Sequence, residues 1–490
     1  MFDVAIIGSG IVGAATAYEL SRYDLNVVVL ERENDVALGA TKANSAVIHA
    51  GYDPSPGTLM AKLDVESVAL AKELCEKLDV PHKQCGAMVL ALSEHEVKTV
   101  EFLHNQALIN GVKDTHILSK EEVLRLEPNV SQDVAAALHA PTAMIVDPWE
   151  YTLALAETAV RNGVEFRFDA DVTAITPAEQ GYKITVNAEE TVKTRMVINA
   201  AGLYADDIHN MVAEPDFTIS PAKGEYWLLD KSEGTRVNSV LFQCPSKSGK
   251  GVLVTPTVHG NLLVGPGNIP AGDKDDVSTT ADELKYVKET AKRSVPGIDF
   301  SAVIRSFSGN RANTEHNDFV IREAAPGFID LAGIKSPGLS SAPAIAKMAV
   351  QMMSDRGIIF SEKDSFVDSR SRIRFNELSA DERAKLIERD PLYGRVICRC
   401  ETVTEGEIRD ALLSPIPPRS IDAVKRRTNA GMGRCQSGFC GPRVLEILAK
   451  HYGIERVDVL QDKAGTFVLT SKTKEFAVSN GNHLPNLEVK

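Results

Sequence analysis

Val4-Ala-Ile-Ile-Gly8-Ser-Gly10-Ile-Val-Gly13 is the stretch on which the fold class turns. Residues 4–7 form an unbroken apolar run, as expected of a strand buried on both faces of a parallel sheet. G-x-G-x-x-G follows at once, and residues 14–22 read as a helix. In this order Gly8 permits a tight turn, Gly10 lets the backbone approach a pyrophosphate, and Gly13 lets helix and strand pack closely. The helix N-terminus turns free N–H groups and its positive dipole end toward the phosphates. A second apolar run, Val27–Leu30, ends at Glu31, 18 residues past Gly13. A carboxylate there accepts hydrogen bonds from ribose hydroxyls and repels a 2′-phosphate, which disfavours NADP. Strand, motif, helix, strand and acid in sequence predict a Rossmann-type unit; the motif itself serves FAD and NAD alike.

Outward from this start, residues 1–360 alternate short β-branched runs with helical stretches. Further strands are expected at 196–199, followed by Ala200-Ala-Gly202, and at 328–331. GIKSPGLSSAPAIAKMAVQMM (333–353) reads as a strand exit, a glycine turn and a helix. A helix N-terminus at that point, aimed at a flavin pyrimidine ring, would stabilise the negative charge of the reduced form. Between about 215 and 310, GEYWLLD, GVLVTPT and NLLVGPG alternate with Gly/Pro turns and read as antiparallel strands covering a site.

The chain has 490 residues, 43 % hydrophobic and 25 % charged, which suits a globular protein of about three domains and excludes a disordered, collagenous or coiled-coil chain. A net charge of −13 argues against a nucleic-acid binder. No apolar run reaches the length of a membrane span, no basic amphipathic helix suggests membrane docking, and the N-terminus lacks a basic leader. Of seven cysteines, Cys75, Cys85 and Cys244 are scattered, whereas Cys398, Cys400, Cys435 and Cys440 are clustered. That distribution predicts a reducing, cytoplasmic setting and a metal site, not a disulfide framework. Residues 361–394 are charged and read as a linker; 395–450 hold ten Lys/Arg against six Asp/Glu; the end of the chain reads as a hairpin or tail. Four thiolates suit zinc or a [2Fe-2S] cluster. The spacings C-x-C and C-x4-C depart from the usual zinc knuckle, and Gly431, Gly433, Gly438 and Gly441 leave backbone N–H groups free to face sulfur. The cluster is therefore the expectation and zinc the alternative.

Residues 1–355 resemble FAD-dependent oxidoreductases of the D-amino-acid-oxidase type. Within that group Asn44-Ser-Ala-Val-Ile-His-Ala-Gly-Tyr52 is similar to two subfamilies, the glycerol-3-phosphate dehydrogenases and oxidases and the L-2-hydroxyglutarate dehydrogenases and oxidases. The block TNAGMGRCQSGFCGPR (428–443) resembles the bacterioferritin-associated-ferredoxin-like [2Fe-2S] domain, which also ends the large subunit of the anaerobic glycerol-3-phosphate dehydrogenase. The resemblance implies that Glu31 holds the adenosine ribose, Thr41 to Ser45 run beside the flavin, Val172 meets the adenine through its backbone, and Gly338 and Leu339 lie at the pyrimidine end. It also implies an α/β architecture: a Rossmann-type FAD-binding part (about 1–80, 145–215 and 305–360), an antiparallel α+β substrate part (about 81–144 and 216–304), the 361–394 linker, a [2Fe-2S] domain at 395–455 and a tail at 456–490.

Oxidising a secondary alcohol by hydride transfer needs a base for the hydroxyl proton. His49, just after the flavin-side segment, is the candidate. Arg311, in Ser306-Phe-Ser-Gly309-Asn310-Arg311, is the candidate anion clamp, with Arg305 as its rival. Lys250, Ser340 and Tyr52 are further substrate-binding candidates, Lys250 by likeness to the glycerol-3-phosphate oxidases. A flavin accepts two electrons at once and a cluster passes them singly, so the two together predict electron delivery to a partner protein or subunit. The expected reaction is oxidation of a small anionic alcohol, sn-glycerol 3-phosphate first and L-2-hydroxyglutarate second, with amine oxidation more distant. An electron-transfer subunit without its own substrate is the reading from another class.

Overall fold

The elements that position the sites are, in chain order, the strands β1 (Phe2–Ile7), β2 (Val27–Leu30), β3 (Glu165–Arg167), β4 (Glu190–Asn199), β5 (Ser220–Leu229), β6 (Val303–Asn313) and β7 (Phe328–Ala332) and the helices α1 (Ile11–Leu20) and α2 (Gly338–Asp355). They belong to a computed structural model that describes residues 1–245, 251–358 and 360–472. The chain divides into two units, Met1–Arg372 and Ile373–Lys490.

In the first unit β3, β2, β1, β4 and β7 lie side by side, every neighbouring pair parallel. All four residues of β2 and the last four of β1 are buried, which explains their unbroken apolar sequence. α1 packs on α2 and on the helix Pro148–Arg161. Every residue of α1 except Glu19 is buried, so it has no polar stripe. The antiparallel strands Val172–Ala178 and Gly181–Val186 extend the sheet from the first half of β4.

A second sheet of nine strands, counted among the described residues, is built around β5. It is antiparallel as expected except where Val240–Gln243 runs parallel to Ala87–Ala91, a pairing between segments too far apart in sequence for a hairpin. β5 and β6 pair along their length, from Ser220 opposite Asn313 to Leu229 opposite Val303. On one face Tyr226 stacks on Phe307, with ring centroids 4.8 Å apart. The other face carries the buried Lys223, Glu225, Ser308 and Asn310. Residues 274–280 cross that face: Lys223 Nζ donates to Asp276 at 2.8 Å, Thr280 N donates to Glu225 at 2.8 Å, and Asn310 Nδ2 donates to the carbonyls of Lys274 and Asp276.

The stretch 361–394, expected to be a linker, is not one element. Its first part is anchored in the flavin unit, where the buried Arg370 places Nε 2.7 Å from Glu157 and Nη1 2.9 Å from Glu150. Its second part belongs to the C-terminal unit and forms the helix Ala380–Arg389, started by a capping box between Ser379 and Glu382. Phe375, Leu386 and Tyr393 make a small core there. Of the charges that suggested a linker, Asp368, Arg370, Arg372 and Asp390 are ion-pair partners and Glu382 closes a capping box.

The C-terminal unit continues with β8 (Val396–Cys398), paired with Val403–Thr404, and with the helices Glu405–Leu412, Ile421–Thr428 and α3 (Gly441–Tyr452). Val403, Ile408, Val424, Val444 and Leu448 share its core with Cys398 and Cys440. Residues 456–472 form no strand, only isolated bridges from Leu460 to Ser420 and to Phe467; the rest of the expected tail lies outside the described residues.

Candidate active site and metal centre

The glycine motif is held by contacts that leave no room for side chains. A Cβ at Gly13 would lie 2.0 Å from Gly8 O, and one at Gly8, whose φ is +97°, would lie 2.6 Å from Ala200 O. Gly10 faces Thr41, whose Oγ1 accepts the Ile11 N–H at 3.0 Å. Glu31 closes the turn: its Oε2 accepts Ser9 N at 2.7 Å and Ser9 Oγ at 2.8 Å, and its Oε1 accepts Glu33 N at 2.9 Å. Burial pushes the Glu31 carboxyl above the usual range, against the pull of the Glu33 and Ser9 donors. Ala170 N donates to Glu31 O at 2.8 Å, which brings Val172, the first residue of its strand, to the same end as Glu31. Gly202, with φ +59°, follows β4 at the turn next to Gly8. A glycine turn bare of side chains, a helix N-terminus and a half-buried carboxylate suit a dinucleotide: Gly8, Gly10 and Gly13 would take the pyrophosphate and Glu31 the ribose.

The expected flavin-side segment lies against the second sheet. A Cβ at Gly309 of β6 would stand 2.0 Å from Ala43 O, so backbone meets backbone there. Trp149 Nε1 donates to Lys42 O at 3.0 Å and fixes the same segment. Ser45 Oγ is 3.3 Å from the Tyr226 hydroxyl. Gly338 opens α2, where a Cβ would strike Ile334 Cγ2 at 2.6 Å, and the half-buried Leu339 follows. Ser340, one residue on, accepts the His49 backbone N–H at 2.8 Å and so ties the start of α2 to residue 49. The His49 ring lies 5.8 Å from Phe242, centroid to centroid. Arg311 of β6 donates to Asn268 Oδ1 at 3.3 Å and to Gly267 O at 3.2 Å, both neutral acceptors. Burial pushes the Tyr226 phenol up, so it remains a hydroxyl beside Arg311.

Two expected substrate contacts need correction. Ser340 is 0 % exposed and its oxygen is engaged by His49, which makes it a positioning group. Tyr52 is a core residue: it meets Phe242 edge-on at 6.4 Å, its carbonyl accepts from Gln106, and burial raises its phenol well above the ordinary range. Arg305 is exposed and stands six residues from Arg311 along β6. Lys250 lies outside the described residues. Tyr226 and Gly309 escaped the sequence reading, although a lone glycine inside the strand pattern SFSGNR signals a close backbone approach.

The four clustered cysteines form two pairs. Cys400 Sγ and Cys435 Sγ are 3.6 Å apart, close to the sulfur–sulfur edge of about 3.8 Å around a tetrahedral metal with bonds of about 2.3 Å. Cys398 and Cys440, each 1 % exposed, are hydrogen-bonded to each other. The Cys440 thiol, with the backbone N–H groups of Gly431, Glu401 and Cys400, pulls the Cys398 thiol down to about 6. Among the described residues no three His, Cys, Asp or Glu side chains converge as ligands of one ion. Two pairs, one per iron, suit a two-iron cluster. Glycine is required where the loops meet: a Cβ at Gly433 would lie 2.2 Å from Cys400 Cβ. Cys440 also caps α3, whose positive end favours an anionic cluster.

Residues 3–352 match the family described as FAD dependent oxidoreductase, and residues 396–450 match the BFD-like [2Fe-2S] binding domain. The chain belongs to the FAD dependent oxidoreductase family. Its cofactors are FAD and a [2Fe-2S] cluster. This flavoprotein is 50 % identical over 477 residues to a glycerol 3-phosphate dehydrogenase of Caloramator mitchellensis, spanning 97 % of this chain and 99 % of that one. It is 35 % identical to a glycerol 3-phosphate oxidase of Mycoplasma genitalium over 72 % of this chain and 94 % of the oxidase. The solved structure of dithionite-reduced L-alpha-glycerophosphate oxidase from Mycoplasma pneumoniae with FAD bound superposes with a TM-score of 0.72 at 34 % identity, covering 76 % of this chain and 98 % of that one. No helix among the described residues is long and apolar enough to cross a membrane.

Proposed function

We propose that this flavoprotein oxidises sn-glycerol 3-phosphate to dihydroxyacetone phosphate and passes the electrons through its cluster to an external acceptor. The observation that carries this reading is the state of Arg311. Its guanidinium is held by two neutral oxygens and, among the described residues, makes no ion pair, so a positive charge stands beside Tyr226 and Ser45 for an anionic substrate. The likeness to a glycerol 3-phosphate dehydrogenase along nearly the whole chain, cluster domain included, supports phosphate as that anion.

Arg311 clamps the phosphate with parallel hydrogen bonds. His49 takes the C2 hydroxyl proton while the C2 hydride leaves and the carbonyl forms. Ser340, by accepting the His49 backbone N–H, fixes the backbone that carries the ring. Bound FAD supplies the acceptor for the hydride. The test is anaerobic addition of glycerol 3-phosphate, L-2-hydroxyglutarate and an amino acid to the purified holoenzyme. Bleaching of the flavin band by the first alone is the expected result; bleaching only by another member of the panel would replace the substrate. Bleaching by none would favour an electron-transfer subunit.

A further inference from the structure

The two cysteine pairs differ in their access to solvent. Cys398 and Cys440 are buried, whereas Cys400 is exposed and Cys435 half-buried. Electrons leave most readily by the side that a partner can approach. Around that side the surface has an unusual composition. Phe439, next to Cys440, is 84 % exposed, more than any other large apolar side chain among the described residues. Arg399 lies between Cys398 and Cys400, Arg434 directly precedes Cys435, and Arg443 sits in the first turn of α3. All three arginines are exposed, and among the described residues none makes an ion pair or a side-chain hydrogen bond. Elsewhere in this unit the exposed Arg395 pairs with Glu405 and the exposed Arg456 with Glu446. A bare aromatic and three guanidinium groups without ion pairs, carried on or next to the cysteine-bearing segments of a chain of net charge −13, have the composition of an interface: an aromatic anchor and charged groups.

We propose that the surface formed by Phe439, Arg399, Arg434 and Arg443 beside Cys400 and Cys435 is the docking face for an acidic, one-electron carrier protein. This rests on the electron route proposed above and names its exit. The carrier places carboxylates against the three arginines and an apolar patch on Phe439. Each substrate molecule oxidised yields two electrons, so two carriers dock in succession and each leaves reduced by one. The rim charges steer the encounter, and Phe439 supplies most of the contact energy.

Stopped-flow mixing tests the face on full-length holoenzyme that has been reduced anaerobically with dithionite and freed of excess reductant. The probes are the soluble, acidic haem domain of cytochrome b5 and the basic cytochrome c. The expected result is faster reduction of the acidic probe at low salt, with a rate falling about tenfold as ionic strength rises. The triple reversal Arg399→Glu, Arg434→Glu, Arg443→Glu lowers that rate about tenfold or more, and Phe439→Ala lowers it about tenfold. Reduction of a small dye stays unchanged in both variants. If the triple variant loses its cluster bands, Arg443→Glu alone carries the test, since Arg443 lies outside the cysteine loop. A salt-independent rate, preference for cytochrome c, or wild-type rates in the variants overturns the proposal. So does a dimer in sedimentation that Phe439→Ala dissolves, which would put a second copy on the face. Because dithionite replaces the substrate, failure here is separate from failure of the substrate reading, which shows only in the anaerobic bleaching panel.

Discussion

The two redox sites are built on opposite plans. The four cysteines fall within 43 residues, and the loops that carry them supply their own backbone donors and close approaches. The flavin and substrate site we propose draws on residues 8–13, 31, 41–49, 202, 226, 309–311 and 338–340, which lie on two sheets and at the start of α2. A local site depends on short-range geometry and tolerates changes elsewhere. A dispersed site depends on the packing of the whole unit.

Paired glycine substitutions give the largest effects and test that independence. Gly13→Ala puts a methyl 2.0 Å from Gly8 O, backbone against backbone, and is expected to cost at least about 3 kcal/mol locally and to empty the flavin site. Gly433→Ala meets Cys400 Cβ at 2.2 Å and is expected to remove the iron–sulfur absorption. The visible spectrum reads both: the first variant keeps cluster bands without flavin, the second keeps flavin that still bleaches with substrate. Gly272→Ala, where no atom lies within 4 Å of the new methyl, serves as the neutral control. Loss of both cofactors in either variant would break the comparison.

Within the dispersed site, His49→Ala is expected to lower turnover about 10²- to 10⁴-fold while FAD stays bound. Ser340→Ala removes only the acceptor that holds the His49 N–H and is expected to cost far less in kcat. Equal turnover in wild type and His49→Ala, followed by dye reduction, would remove the base from the scheme.

The dispersed plan also depends on Arg370, which reaches from the end of the first unit to Glu150 and Glu157. Removing one partner leaves uncompensated buried charge, so Arg370→Ala is expected to destabilise the flavin unit by about 3–5 kcal/mol in denaturant unfolding. The double variant Glu150→Gln, Glu157→Gln added to Arg370→Met is expected to recover part of that loss. An unchanged midpoint in Arg370→Ala would show the network to be inert.

These contrasts explain what the sequence could disclose. The glycine motif and the cysteine block are short patterns whose backbone demands are written in consecutive residues, and both could be read directly. β1, β2, the end of β4 and β7 were legible because the stretches covered on both faces are largely apolar. Ser340 and Tyr52 were misread because position in the chain does not report burial: one is turned to a backbone N–H 291 residues away, the other to Phe242. Tyr226 reaches Ser45 across 181 residues, a contact that no local pattern encodes. The charged stretch 361–372 looked like a linker because Arg370 finds its carboxylates more than 200 residues earlier.

The smallest expected effect concerns pH. Glu31 is half-buried, and burial of its carboxyl holds it above the usual range. For the cofactor-free protein a raised folded value means that the fold binds the proton more tightly than the unfolded chain, so this residue adds stability as pH falls through that value. For FAD the sign is reversed. The ribose hydroxyls donate to an ionised carboxylate, so affinity is present above the raised value and lost as pH falls through it. A charge-assisted hydrogen bond contributes about 1.5–3 kcal/mol, so the wild-type Kd for FAD is expected to rise about tenfold or more on acidification through that raised value. In Glu31→Gln the Kd is expected to start weaker and to vary less with pH, while the acid-side gain in stability of the cofactor-free protein disappears. Parallel pH profiles in the two proteins would show that Glu31 does not hold the ribose, and would leave the glycine turn as the sole local determinant of the flavin site.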